Sequence, residues 1–113
     1  MTNLLEETIE TLTENGKTPT DVQWVGSADG KLAINWDEFA AIANFEYDSG
    51  YGGQEIPKDL VIVGEGWWLE RAEYDGAENW AYKSQPVRSL DSQTFEHVEQ
   101  SDYWVTLAEA QDR

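Results

Sequence analysis

The chain has 113 residues, 23 of them acidic and 7 basic, for a formal net charge of -16. Its 40% apolar and 12% aromatic content excludes a disordered acidic tail, because six Trp and five Tyr can supply a packed core. The charge disfavours direct binding to nucleic acid or to a membrane surface, both anionic, and the lack of Cys excludes a disulfide framework and thiol chemistry.

One domain over residues 1–113 fits this length. Met1 to Glu14 carries four acids and no base, unlike a secretory leader, and no apolar run approaches the ~20 residues of a membrane span. A cytoplasmic location, inside a bacterial host, is the expectation. Solubility alone asks for a net charge of only about 2 to 8 in magnitude. The excess implies mimicry of nucleic acid, docking on another basic protein, or adaptation to high salt.

The spacing predicts a helix over Asn3 to Asn15, with Leu5, Ile9 and Leu12 as its apolar stripe. Asn3 and Glu6 have capping-box spacing, and Gly16 sits where a glycine ends a helix. Glu6, Glu10 and Glu14 follow one another at i+4 with no Lys between them, a charge array that costs the helix a few tenths of a kcal/mol per pair. Thr18 to Asp21 reads as a turn fixed by Pro19, Val22 to Val25 as a strand, and Gly26 to Gly30 as a turn. Leu32 to Ile34 is a short strand or a helix lead-in. Asn35 then caps a helix, with Glu38 at N3, that buries Trp36, Phe39, Ala40, Ile42 and Ala43.

Tyr47 to Gln54 is a loop by composition, and Leu60 to Val63 a central strand. Trp67 to Tyr74 and Asn79 to Ser84 form a hairpin over Asp75-Gly76-Ala77-Glu78, ended by Pro86. Thr94 to Val98 is strand or helix, Tyr103 to Val105 a strand, and Thr106 to Ala110 a helical turn. The fold class is α+β: an antiparallel sheet of about four to five strands with two helices packed on one face.

No catalytic, cofactor or metal site is expected. His97 is the single histidine, and no nucleophile motif accompanies it. Asp29-Gly30-Lys31 resembles part of a calcium loop, but with Gly30 at position 6 the first and twelfth ligands would be Val25 and Trp36. The Tyr51-Gly52-Gly53 loop lacks the Gly-Lys-Ser/Thr ending of a phosphate cradle. Its composition suits a protein-contacting loop, with Tyr51 as anchor, or a glycine-rich connection packed on the sheet. Trp67 and Trp68 point to opposite faces of their strand, so one enters the core and the other meets solvent or a partner. Trp67 is placed with the partner-binding residues. If the register sets Trp80 on the face of Trp67, Trp80 stacks with Arg71.

The electrostatic residues are Glu6, Glu10, Glu14, Asp37, Glu38, Glu46 and Asp48. A net charge of -16 matches about 27 Å of duplex at one charge per ~1.7 Å. A compact chain of this length has a radius of gyration of roughly 13 Å, hence a diameter of roughly 35 Å.

Tyr47-Asp48-Ser49-Gly50-Tyr51-Gly52-Gly53-Gln54, Leu60-Val61-Ile62-Val63-Gly64, Trp67-Trp68-Leu69-Glu70-Arg71 and Glu73-Tyr74-Asp75-Gly76 together resemble a family of small acidic proteins of bacteriophages and integrated mobile elements. The resemblance spans roughly residues 47 to 83 and implies a mobile-element origin, without assigning an activity or a site residue. Small acidic proteins of such origin include anti-CRISPR and anti-restriction inhibitors, an analogy of context only. The leading expectation is a DNA mimic that binds a basic host protein, such as a CRISPR effector or restriction nuclease. The alternatives are a non-catalytic adaptor that binds through exposed sheet aromatics, and a halophile-adapted domain.

Overall fold

The structure, a computed structural model, describes residues 1–50, 52–99 and 104–111. The elements are β1 (Thr2–Asn3), α1 (Leu4–Glu14), a 3-10 turn (Pro19–Asp21), β2 (Val22–Ser27), β3 (Ala33–Ile34), α2 (Trp36–Ala43), β4 (Glu46–Tyr47), β5 (Leu60–Gly64), β6 (Trp67–Tyr74), β7 (Ala77–Ser84) and α3 (Leu107–Gln111). β3-β2-β5-β6-β7 form an antiparallel five-stranded sheet, and β1 and β4 pair separately. The class is α+β, as expected.

Both long helices start where their caps dictate. The Asn3 side chain accepts the Glu6 N–H at 2.9 Å. Asn35 and Glu38 bond reciprocally, side chain to backbone, at 2.8 and 3.2 Å. α1 ends in a Schellman motif: Gly16, at φ 72, donates to Thr13 O, and Lys17 donates to Leu12 O.

The buried stripe of α1 is Leu4, Thr8 and Leu12: Leu12 is buried as expected, and Leu4 and Thr8 take the places expected for Leu5 and Ile9. Leu5 is half-buried and Ile9 is exposed. Thr8 earns its place by hydrogen bonding. Its hydroxyl donates to Leu4 O at 2.7 Å and accepts the indole N–H of Trp80 at 2.9 Å, so neither buried polar group is orphaned. In α2, Phe39 and Ala43 are buried and Trp36 and Ala40 half-buried, but Ile42, expected inside, is 67% exposed.

The β6–β7 turn is two residues, not four: Asp75 and Gly76 both take positive φ, 53 and 88, the left-handed pair a tight I′ hairpin requires. β7 therefore begins at Ala77, and Glu78 lies inside the strand. The register aligns Val25, Ile62, Leu69 and Tyr82 across β2, β5, β6 and β7 on one face. Val25, Ile62 and Leu69 are fully buried there, and they join Leu4 and Leu12 of α1, Phe39 and Ala43 of α2, Trp67 and Trp80 in one core. Each Val, Leu, Ile and Phe among them contributes roughly 1.5–3 kcal/mol by leaving water. Trp67 lies across Gly64, where any Cβ would overlap its indole ring, and stacks on Tyr82 at 6.0 Å. Only glycine at position 64 admits that ring.

Beyond β7 the expectations hold less well. Residues 94–98 are neither strand nor helix, and of the strand expected over Tyr103 to Val105, Tyr103 lies outside the described residues while Trp104 and Val105 are not in a strand. α3 forms at the expected helical turn. Thr106 and Glu109 bond reciprocally at its start, and Ala110 is buried. Val87 and Leu90 are almost wholly exposed. The radius of gyration is 18.0 Å, with extents of 53 × 34 × 27 Å, in place of the roughly 13 Å of a compact chain.

Candidate acidic binding surface

The acids singled out from sequence are all exposed. Glu6, Glu10 and Glu14 project from α1 away from Leu4, Thr8 and Leu12, rising about 6 Å per step. Glu46 joins them: it pairs with Asn3 in the β1–β4 ladder, Leu4 N donates to Phe45 O, and the Asn3 amide donates to Asn44 Oδ1. The start of α1 and the end of α2 are thereby tied together. Asp37 and Glu38 sit in the first turn of α2, about 12 Å along that helix from its tied end, so they form a second group. Glu38 spends one oxygen on its cap. Asp48 folds its own loop, accepting Gly50 N–H, while its backbone N–H donates to Glu55. Tyr51 lies outside the described residues.

None of these seven acids forms a salt bridge among the described residues; the two salt bridges there both belong to Arg71. Their charge is therefore open to a partner. Among the bases, Lys17 sits over the Trp67 ring, 5.6 Å from its centroid, and Lys83 pairs opposite Trp68 on the other face of the sheet.

Trp67 is corrected. It is 4% exposed and part of the core, so it offers no surface to a partner. Its neighbour Trp68 takes the opposite face, half-buried, with its indole N–H donated to Glu70 at 2.7 Å. Trp24, Val61 and Val63 share that face and line an open hollow with it.

A buried ionic cluster supports the acidic surface. Arg71, opposite Trp80, lies over its ring at 4.6 Å, the stacking expected if the register placed both on one face. Its guanidinium donates to Glu78 at 2.9 Å, to the Tyr47 hydroxyl at 3.0 Å and to Glu7 at 3.4 Å. Tyr47 donates to the same Glu7 oxygen at 2.6 Å. Glu78 also accepts the backbone N–H groups of Glu55 and Ile56. One cation thus joins α1, β4, the loop before β5, and the hairpin. Glu7, Tyr47 and Glu78 lie outside the site residues expected from sequence. For Glu78 the available signal was the Asp-Gly pair, which marks a two-residue turn and moves Glu78 onto the face of Trp80.

Burial, reinforced by the Glu7 carboxylate, pushes the Tyr47 hydroxyl up to about 12. An unfolded tyrosine ionises near about 10. The folded state therefore holds this proton more tightly, and the associated stability is complete below pH ~10 and lost as pH rises towards 12. Urea titrations at stepped pH should show a steeper alkaline loss of stability for the native protein than for Tyr47→Phe. Equal slopes would assign that loss to other groups.

No group of three or more His, Asp or Glu among the described residues could hold a metal ion, and no helix among them is long and apolar enough to cross a membrane. His97 is exposed, with its backbone bound by Gln111. No protein-family model, curated protein or solved structure matches the chain. Fold and surface together define an acidic α+β domain with a row of unpaired carboxylates on a pinned helix.

Proposed function

We propose that this protein is an acidic inhibitor that occupies the nucleic-acid-binding surface of a basic host protein, in the manner of a DNA mimic. The finer form of the reading is a mobile-element product acting on a defence nuclease, such as a CRISPR effector or a restriction enzyme. The observation that carries the proposal is the unpaired row Glu6, Glu10, Glu14, with Glu46 beside its start. Carboxylates every ~6 Å supply about half the linear charge of one DNA strand, which bears a phosphate every ~3.4 Å. Parity needs further acids, and Asp37, Glu38 and Asp48, all exposed, supply them from outside that row.

The test is binding to purified basic nucleases across a salt series, with duplex DNA as competitor. Affinity should fall at least ~tenfold between about 50 and 200 mM salt, and DNA should displace the protein. Salt-independent binding, or a ternary complex with DNA on its usual surface, would defeat the reading. The open hollow at Trp24, Val61, Val63 and Trp68 favours a second reading, a non-catalytic adaptor. Under it, Trp68→Ala abolishes binding and salt matters little.

A further inference from the structure

We propose that the apolar cavity between α2, the β2–β3 hairpin and the loop before β5 is an anchor pocket for a large apolar side chain carried on a basic segment of the partner. The inference rests on the reading that the partner is basic, and adds where and through what it is gripped.

The cavity measures about 370 Å³, within the ~300–1,000 Å³ range of ligand pockets. Its floor is Val25, Phe39, Ala43 and Ile56, all core residues. Its rim is unusual for a surface: Leu32 is 72% exposed, Ile42 67% and Phe45 43%. Three large apolar side chains held in water around an apolar hollow are the arrangement of an interface core before its partner arrives. Ile42 marks the point most clearly, since it lines the cavity from α2 and yet stands 67% exposed.

Charge selects the occupant. Glu55 and Asp59 are the ionisable residues that line the cavity, and both are acids. A second copy of this chain would bring another -16 charges to the site, and an anionic amphiphile would meet the same repulsion. A Trp, Leu or Phe flanked by Lys or Arg fits both the apolar floor and the acidic border. The division of labour is then ordinary for interfaces: a buried anchor supplies affinity and the charges supply rate and orientation.

The probes are a short lysine-rich peptide with a central Leu-Trp pair, the same peptide with Ala-Ala in that place, and a third with serines replacing the lysines around Leu-Trp. Binding is followed by titration calorimetry and by backbone amide shifts of the full chain. The expected result is that the Leu-Trp peptide binds about tenfold or more tightly than its Ala-Ala counterpart, with shifts centred on Leu32, Ala33, Ile42 and Phe45. The decisive variant is Ile42→Glu. It adds a negative charge, so attraction of charge alone predicts tighter binding of the lysine peptides, whereas an apolar anchor predicts that the Leu-Trp advantage disappears. Thermal unfolding checks that this exposed substitution leaves the fold intact, and Leu32→Ser provides a charge-neutral second variant.

Equal binding of the Leu-Trp and Ala-Ala peptides, unaffected by either variant, overturns the pocket and leaves the acidic reading standing. Equal binding of the lysine and serine Leu-Trp peptides overturns the basic partner, and with it the functional reading. No binding of any peptide at low salt overturns the proposal. A dimer in sedimentation that Ile42→Glu converts to monomer assigns the groove to a second copy and also overturns it.

Discussion

Arg71→Ala should cost about 3–5 kcal/mol of stability, a large fraction of the roughly 5–15 kcal/mol that holds a small domain folded. The Arg71 side chain is 4% exposed, and its partners Glu7 and Glu78 are 16% and 3% exposed. Removing the cation leaves the carboxylates without compensation, Glu78 deeply buried, and leaves Tyr47 without the N–H it accepts. It also strips the ring of Trp80 of its stacked guanidinium. Arg71→Lys should rescue little, because one ammonium cannot reach Glu7, Tyr47 and Glu78 from a plane laid on an indole. A replacement of all three charged residues, Glu7→Gln, Arg71→Met and Glu78→Gln, should be more stable than Arg71→Ala, since no charge is then stranded. Urea midpoints at neutral pH decide the matter. If Arg71→Ala loses less than ~1 kcal/mol, the cluster does not hold these elements together.

Glu10→Lys should move stability and binding in opposite directions. Within α1 it turns the two like-charged i+4 pairs, to Glu6 and Glu14, into attractive ones, a gain of about 0.5–1 kcal/mol. At the surface it breaks the acidic row at its centre. Combined with Glu46→Lys, it replaces two attractions with two repulsions and should weaken binding to a basic nuclease by about 30- to 100-fold, most visibly in the association rate at low salt. A destabilised fold would explain lost binding trivially. A more stable fold with lost binding would not, and for that reason melting temperature and affinity are read on the same sample. Undiminished affinity in the double variant would remove α1 from the contact surface.

Much of the fold was legible because local rules agree with the final packing. Asn3, Asn35 and Gly16 mark helix ends with their own hydrogen bonds, and Leu60 to Val63 carries the apolar run of a central strand. Two expectations failed where a polar atom or a turn overrules the apolar pattern. Thr8 took a core position from Ile9 because Trp80 needs an acceptor. Asp75-Gly76 closed a shorter turn than the composition of its flanks suggested, and only the resulting register assigns a face to Trp80. Trp67 and Trp68 cannot be told apart by alternation alone. What separates them is Gly64 on the neighbouring strand, which is the space Trp67 fills. For the acidic surface, the sequence shows the i+4 row, but the joining of Glu46 to it depends on a β1–β4 pair of two residues each, too short to leave a periodic signal.

The order of strands has a kinetic corollary. β5, β6 and β7 follow one another as a meander, so their pairing closes only short loops and can proceed on the microsecond scale of hairpins. β2 reaches β5 across the whole stretch containing α2 and β4, a closure whose entropy is repaid only when Val25 meets Ile62. The meander should therefore form first, and the N-terminal half, acidic helix included, should dock late. Substitutions on α1 should accordingly alter how fast the protein unfolds, while those in the hairpin alter how fast it folds.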